Sequence, residues 1–510
     1  MLPSSLFNLG FCKKGRNKRR VPLSSIQFFH CKLRSIVAYP YFAAMKQITS
    51  LLSLFLVFTF TSAQAQTFSS KLQVAFNKFS ADEQLKYGSV SFTVLNSTNG
   101  ELIFGGNQNT GLAPASTLKT ITSATALALL GEDFTYKTEV FYSGVIENGI
   151  LNGDIFISGS GDPTLGSSRW KTSTKESVLN QILFALQKAG IQSINGKIIA
   201  DDSAWDTQSL PIGWIWQDIG NYYGAGTSAL SWGENQFELS FTPGKTIGST
   251  VKISNGEVYP FLDLKNELTT SGIGSGDNVY AYSAPYTSTI YLRGTYGIDL
   301  KKKIGLSLPD PAFAMAYDVL AFLQKSNIKV LDFTSARILG QKNGDKKSLL
   351  TTITSPPLKE IIYWFNQKSI NLYGEQLIRT LGNKFGKSAS TVDGIKVLRK
   401  FWEDKGIDPE TLNIGDGSGL SPAGRVTTLT MAKVLFFAQS QAWYPTYLES
   451  LPLNNNLKMK SGTIADVLAY AGYSKVDGQS PVCFSIMINN YKGSTTAMRQ
   501  KIFNLLNQLK

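Results

Sequence analysis

Histidine is almost missing from this 510-residue chain, whose single copy is His30. A serine hydrolase of the Ser-His-Asp kind needs imidazole beside its nucleophile, and a His-ligated zinc or haem needs imidazole too. With His30 confined to the leading segment, the body of the chain holds neither. Cysteine is as scarce. Cys12 and Cys31 also lie in the leading segment and Cys483 stands alone after it, so the body forms no internal disulfide. Acidic residues are absent from the first 65 positions, which carry nine of the 50 Lys and Arg; beyond them 41 basic residues face 36 acidic ones. The net charge of +14 therefore reflects the leader, and the body has an ordinary globular balance that does not point to nucleic acid. Long apolar runs are lacking as well. The greasiest, Ile48 to Phe60, spans 13 residues, short of the ~20 that cross a bilayer as a helix.

That run follows Met45-Lys46 and precedes Ala63-Gln64-Ala65, a charged start, apolar middle and small-residue box that read as a secretory signal (45–65) cut before Gln66. A retained anchor is the alternative. The expectation is an exported protein of the periplasm or cell envelope. Residues 1–44 then form an upstream extension, either a misread start or an extra targeting segment.

What is present is ample core material, with 43% hydrophobic and 12% aromatic residues. Val90 to Leu95 and Glu101 to Phe104 are β-rich runs joined by Asn99-Gly100, a strong hairpin signal. Ser116 to Leu130 is apolar nearly all round, as in a buried helix stopped by Gly131. From about 139 to 308 short β-type runs alternate with Gly-rich turns, which reads as an inserted, mostly β unit. Helical periodicity returns at Pro311 to Lys325, Leu358 to Gln367, Tyr373 to Leu381, Val392 to Trp402 and Leu429 to Gln439. A closing hairpin, Leu468 to Ser474 and Val482 to Asn489 around Asp477-Gly478, precedes a last helix from Thr495 to Leu509. Cys483 falls in a strand run and reads as core.

Without histidine, a serine nucleophile needs another base, and a lysine held neutral is the available one. Ser116-Thr-Leu-Lys119 has that form; Ser168 to Lys171 and Ser326 to Lys329 match the same bare pattern. Context separates them. Ser326 and Lys329 head into a β-rich run, where a three-residue offset sends side chains to opposite faces. Ser116 opens a buried helix, so Lys119 stands one turn on along the same face. An ordinary lysine value of ~10.4 leaves about 4 in 10,000 amines neutral at pH 7, roughly 4.6 kcal/mol from being a base. Burial and a second cation must supply the shift. Lys460-Ser-Gly-Thr463, before the closing hairpin, offers that cation on an edge strand, with a glycine that permits close approach. Ser369-Ile-Asn371 lies between two helices and completes an ordered set of S-x-x-K, S-x-N and K-S-G.

With Gly159-Ser-Gly-Asp-Pro-Thr-Leu165, Asp201-Asp-Ser203, Ser369-Ile-Asn-Leu-Tyr-Gly-Glu375 and Asp416-Gly-Ser-Gly-Leu-Ser421, these motifs make the body of the chain resemble the penicillin-recognising active-site serine enzymes. Within them it is similar to the low-molecular-mass class C D-alanyl-D-alanine carboxypeptidase/endopeptidases. The resemblance implies a mixed α/β, β-lactamase/transpeptidase-like domain, an antiparallel sheet flanked by helices, built from 67–138 and 309–510 and interrupted by the β-rich insert 139–308. It implies Ser116 as nucleophile, Lys119 as its base, Ser369 and Lys460 as proton relay, and Asn371 as a substrate-orienting amide. The N–H groups of Ser116 and Thr463 would form an oxyanion hole, and Ser461, Gly462, Thr463 and Lys460 would receive the terminal carboxylate. Peptidoglycan stem peptides are the implied substrate and β-lactams the implied covalent inhibitors, with no cofactor, metal or nucleic acid. Ser461 stands where threonine is commoner, and its hydroxyl still donates. Asp201 either contacts a stem-peptide amine or caps a turn. The 416–421 stretch reads as a loop flanking the site. Trp205, Trp214, Trp216 and Trp232 either stack on sugars or pack the insert. Gly244-Lys245-Thr246 lacks a P-loop glycine at Leu239, so no nucleotide is expected. A β-lactamase or esterase on the same fold, or a silent wall-binding protein, are the rival readings.

Overall fold

The computed structural model describes residues 67–510 except 257, 341–346 and 476–480. Residues 1–44 and 45–65, expected to be an upstream extension and a secretory signal, and the Asp477-Gly478 turn lie outside the described residues. No helix among the described residues is long and apolar enough to cross a membrane.

The Asn99-Gly100 signal yields its hairpin, Ser89–Asn96 against Leu102–Gly106. Val482–Asn489 pairs antiparallel along the other edge of Ser89–Asn96, and Val467–Ser474, Leu457–Ile464 and the two-residue Leu453–Asn454 extend the sheet to six strands. Alternation sorts the side chains by face. Val482, Phe484, Ile486 and Ile488 share a core with Leu72 and Phe76 of helix 67–80 and Met498 and Ile502 of Thr495–Leu506. Cys483 and Met487 face the other way, toward Leu118 and Ile121 of Leu118–Leu130 and Leu435 of Thr428–Gln439. A side chain buried to this degree is worth roughly 1.5–3 kcal/mol.

The helix Leu118–Leu130 is buried from Leu118 through Leu127. Its polar residues are satisfied internally or by neighbours: Thr125 Oγ1 donates to the Ile121 carbonyl at 2.8 Å and Thr122 Oγ1 to the Gly417 carbonyl at 2.6 Å. Gly131, at φ 82°, ends it.

The intervening region is less purely β than expected. It contains the helix Lys175–Lys188, capped by Thr174, whose side chain accepts from the Ser177 N–H, and buried through Val178, Leu179, Ile182, Ala185 and Leu186. Its main sheet is mixed. Ser193–Asp201 runs parallel to both Ile155–Ser158 and Lys329–Ser335, while Ser348–Thr354 pairs antiparallel with Lys137–Tyr142. The helix Pro311–Lys325 shares one core with Ile155, Ile182 and Ile198. Packing therefore continues through 354, past the expected boundary at 308.

One helix ties this region to the six-stranded one. Asn371–Phe385 is buried from Asn371 through Gly382. Tyr373 donates to Glu234 Oε1 at 2.7 Å, Gln376 Nε2 to the Gly161 and Ser228 carbonyls at 3.1 and 2.9 Å, and Arg379 to Asp206 Oδ1 at 2.8 Å and the Gln208 carbonyl at 3.0 Å.

Candidate active site

A short 3-10 turn, Ala115–Thr117, leads into Leu118–Leu130 and presents Ser116, half-buried between buried neighbours. Ala115 takes φ 44°, a left-handed value costly for a residue with a Cβ, and Ser369 takes φ 57°. Strain of this kind, worth about 1–3 kcal/mol per residue, concentrates at functional sites. The strand Leu457–Ile464 packs against the Ser116 turn through Gly462: a Cβ there would lie 2.7 Å from the Pro114 carbonyl oxygen and 2.9 Å from Ser116 N. Only glycine allows that approach. Lys460, two residues back, is likewise buried, while Ser461 is half-buried and Thr463 exposed. Beyond Lys458 this strand has no outer partner strand among the described residues, as an edge position requires.

The Lys119 amine is fully enclosed. It lies 3.0 Å from Ser116 Oγ, 2.6 Å from Asn371 Oδ1 and 2.7 Å from the Ser418 carbonyl oxygen. The last two atoms only accept hydrogen bonds, so they occupy two N–H groups; a neutral amine then has its lone pair left for the serine hydroxyl. Burial first, and the Lys460 charge second, push the Lys119 value well below that of an ordinary lysine, against the opposing pull of Asp416 and Glu375. Burial brings Lys460 itself down to about 7. Glu375 and Asp416 are both pushed up, chiefly by burial. Two amines and two carboxylates thus share one dry space, where each proton position depends on the others.

Asn371 opens its helix with both ends of its amide engaged, since Nδ2 donates to the Tyr223 carbonyl at 2.8 Å. Ser369 is half-buried on the wall of a cleft of about 490 Å³ with Asn371, Tyr222, Tyr223 and Arg169. A larger hollow of about 660 Å³, lined by Ser167, Lys175 and Gln236, contains none of the amine cluster and is not the site of this chemistry.

The structure thus joins Ser116, Lys119 and Asn371 directly, with Lys460 and Gly462 against them. Asp201 lies outside that network. It ends the strand Ser193–Asp201 and accepts from Ser203 N–H at 3.2 Å, Ser203 Oγ at 2.6 Å and Ser158 Oγ at 3.3 Å, the geometry of a turn cap. Among the tryptophans, Trp205 and Trp232 are buried, Trp214 donates to Asp416 Oδ2 at 3.0 Å, and only Trp216 is exposed. Sequence reasoning assigned no role to Glu375, although it stands four residues after Asn371 on the same helix face. It also missed Tyr223, which acts through its backbone and leaves no residue-type signature.

Comparison with known proteins finds relatives of the chain. The family model described as "D-Ala-D-Ala carboxypeptidase 3 (S13) family" matches residues 72–509. The D-alanyl-D-alanine carboxypeptidase of Actinomadura sp. (strain R39) is 27% identical over 437 residues, covering 80% of this chain and 79% of its own. The crystal structure of penicillin binding protein 4 (dacB) from Haemophilus influenzae superimposes with a TM-score of 0.72 at 23% identity, covering 86% of this chain and 99% of that one. The same protein complexed with a β-lactam gives 0.67 at 22% identity, covering 85% and 98%. These superpositions place the chain in the same mixed α/β fold.

Proposed function

The chain belongs to the D-Ala-D-Ala carboxypeptidase 3 (S13) family, and on that premise we propose a serine D,D-peptidase that trims or cuts peptidoglycan stem peptides through an acyl-enzyme. The observation that carries the reading is the Lys119 amine, 3.0 Å from Ser116 Oγ, with its hydrogens committed to Asn371 and Ser418.

Ser116 Oγ attacks the carbonyl carbon preceding the last D-alanine while its proton passes to Lys119 Nζ. The C–N bond breaks, and the departing nitrogen takes a proton relayed through Ser369 and Lys460. Water then cleaves the ester and restores Ser116. The N–H groups of Ser116 and Thr463 hold the oxyanion, and such donors matter by ~10²- to 10³-fold each. Lys460, Ser461 and Thr463 receive the terminal carboxylate, while Gly462 keeps the strand close. Asn371 orients both the base and the substrate amide. We also propose export after cleavage of the 45–65 signal, and an insert running to 354, as its shared core supports.

A β-lactam presents a strained amide to the same serine. Intact-mass measurement of the secreted form after penicillin, with peptide mapping, is expected to show one adduct, on Ser116, absent from Ser116→Ala. An adduct on another residue overturns the assignment. Rapid loss of the adduct with penicillin turnover and no D-alanine release would identify a β-lactamase, and no stable adduct at all would identify a silent wall-binding protein.

A further inference from the structure

The Ser418 carbonyl takes one hydrogen of Lys119, so whatever aims that carbonyl also decides where the amine's lone pair points. Ser418 C=O and Gly419 N–H belong to one trans peptide unit and point in opposite directions. The Gly419 N–H donates to Asp416 Oδ1 at 3.1 Å. The other oxygen, Oδ2, accepts from Ser421 N–H at 2.8 Å and Trp214 Nε1 at 3.0 Å. Asp416 is itself buried, at 1% exposure. The loop is held a second time at the preceding residue: Gly417 N–H donates to both Glu375 oxygens at 3.1 and 3.0 Å, and the Gly417 carbonyl accepts from Thr122 on the helix of Lys119. Gly419, at φ 79°, backs so closely on the Ala115 carbonyl that a Cβ would come within 1.9 Å of it. The peptide plane therefore has little freedom to turn once Asp416 holds its N–H. A carboxylate on that N–H also polarises the peptide and makes its carbonyl a stronger acceptor.

Resting on the peptidase reading above, we propose that Asp416 is a positioning residue of the reaction: by holding the Gly419 N–H it aims the Ser418 carbonyl at Lys119, so that the amine offers Ser116 its lone pair and not a hydrogen. The charged groups facing Lys119 are Lys460 from the edge strand, Glu375 from the Asn371 helix and Asp416 from this loop. Lys460 disfavours the ammonium and the two carboxylates favour it. Removing the Asp416 charge alone would thus make Lys119 easier to deprotonate while letting it swing out of line.

The test is the pH profile of Ser116 acylation by penicillin in folded Asp416→Asn. The expected result is a plateau rate at least ~10-fold lower, as misplacement of a reacting group produces, together with an acid limb moved to lower pH. A lower plateau with an unmoved limb would mean a scaffold role only. A moved limb with an unchanged plateau would mean charge without positioning. Either overturns the proposal, as does a wild-type profile. If Asp416→Asn does not fold, Trp214→Phe decides. It removes one of the three donors, and the expected result is an acylation rate about 3-fold lower at unchanged half-saturating penicillin, in line with the worth of one hydrogen bond; a wild-type rate overturns the proposal. Carbamylation of Lys119 by cyanate, mapped by mass across pH, reads the amine without turnover. Should the unmodified protein not react with penicillin, the peptidase reading fails, and the cyanate profile still decides here: a lower midpoint together with a changed plateau rate of carbamylation supports the inference, and an unchanged midpoint or an unchanged plateau overturns it.

Discussion

Ser116 with Lys119 and Ser326 with Lys329 are the same four-residue pattern in two regions, and only one pair is chemically coupled. Ser326 caps the end of Pro311–Lys325 and donates to the Phe322 carbonyl at 2.9 Å; Lys329 then starts a strand with its side chain exposed. Ser116 begins a helix buried on every side, and Lys119 meets three oxygens and no solvent. The comparison shows that the pattern supplies spacing alone. On the proposed reading, reactivity comes from the dry surroundings and from acceptors that fix the amine's hydrogens.

The strongest way to break this contrast is to remove each lysine. Lys119→Met is expected to slow penicillin acylation of Ser116 by ~10²- to 10⁴-fold, the usual worth of a positioned base, whereas Lys329→Met acylates at the native rate in stopped-flow. A second test probes the close approach. Gly462→Ala drives a methyl group into the Pro114 carbonyl and Ser116 N; overpacking of this kind costs about 1–3 kcal/mol, read by denaturant melts. Acylation is expected to fall with it, because the Ser116 turn must shift.

A third test concerns pH and stability. Lys460 has its value lowered from 10.5 to about 7 in the folded chain. Between those pH values the unfolded chain holds a proton there that the folded chain lacks, so stability rises with pH across the window. The cost of burying Lys460 is fully present at and below about pH 7 and is relieved toward 10.5. Thermal melts of Lys460→Met are therefore expected to exceed the native protein most at or below pH 7 and to converge with it near 10.5. The smallest effect belongs to Ser326→Ala, expected to leave acylation unchanged and to move stability by no more than ~0.5 kcal/mol.

Much of the site was legible because its parts carry side-chain signatures: a hydroxyl and an amine one turn apart on a helix with almost no polar face, an S-x-N in the loop between two helices, a glycine on an edge strand. The closing strands were legible as β-type runs around Asp477-Gly478, and the first hairpin from Asn99-Gly100. The helix Lys175–Lys188 was hidden among β-rich neighbours although Thr174 and its apolar stripe announce it. The extent of the insert depends on Lys329–Ser335 finding Ser193–Asp201 more than a hundred residues earlier, a pairing no local pattern encodes. Asp201 offered two readings, a contact to a stem-peptide amine drawn from resemblance and a turn cap, and the hydrogen bonds it accepts from Ser203 are those of a cap. Tyr223 and Ser418 act through carbonyl oxygens, which every residue type possesses.

The helix that begins with Asn371 has a consequence for anyone seeking a minimal version of this protein. Excising the insert would strip Tyr373, Gln376 and Arg379 of Glu234, Gly161, Ser228, Asp206 and Gln208. Each orphaned polar group costs about 1–3 kcal/mol, more for the guanidinium, a sum comparable to the whole stability of a domain. The insert is accordingly not a detachable accessory, and a shortened enzyme would need that helix redesigned with apolar residues before it could stand alone.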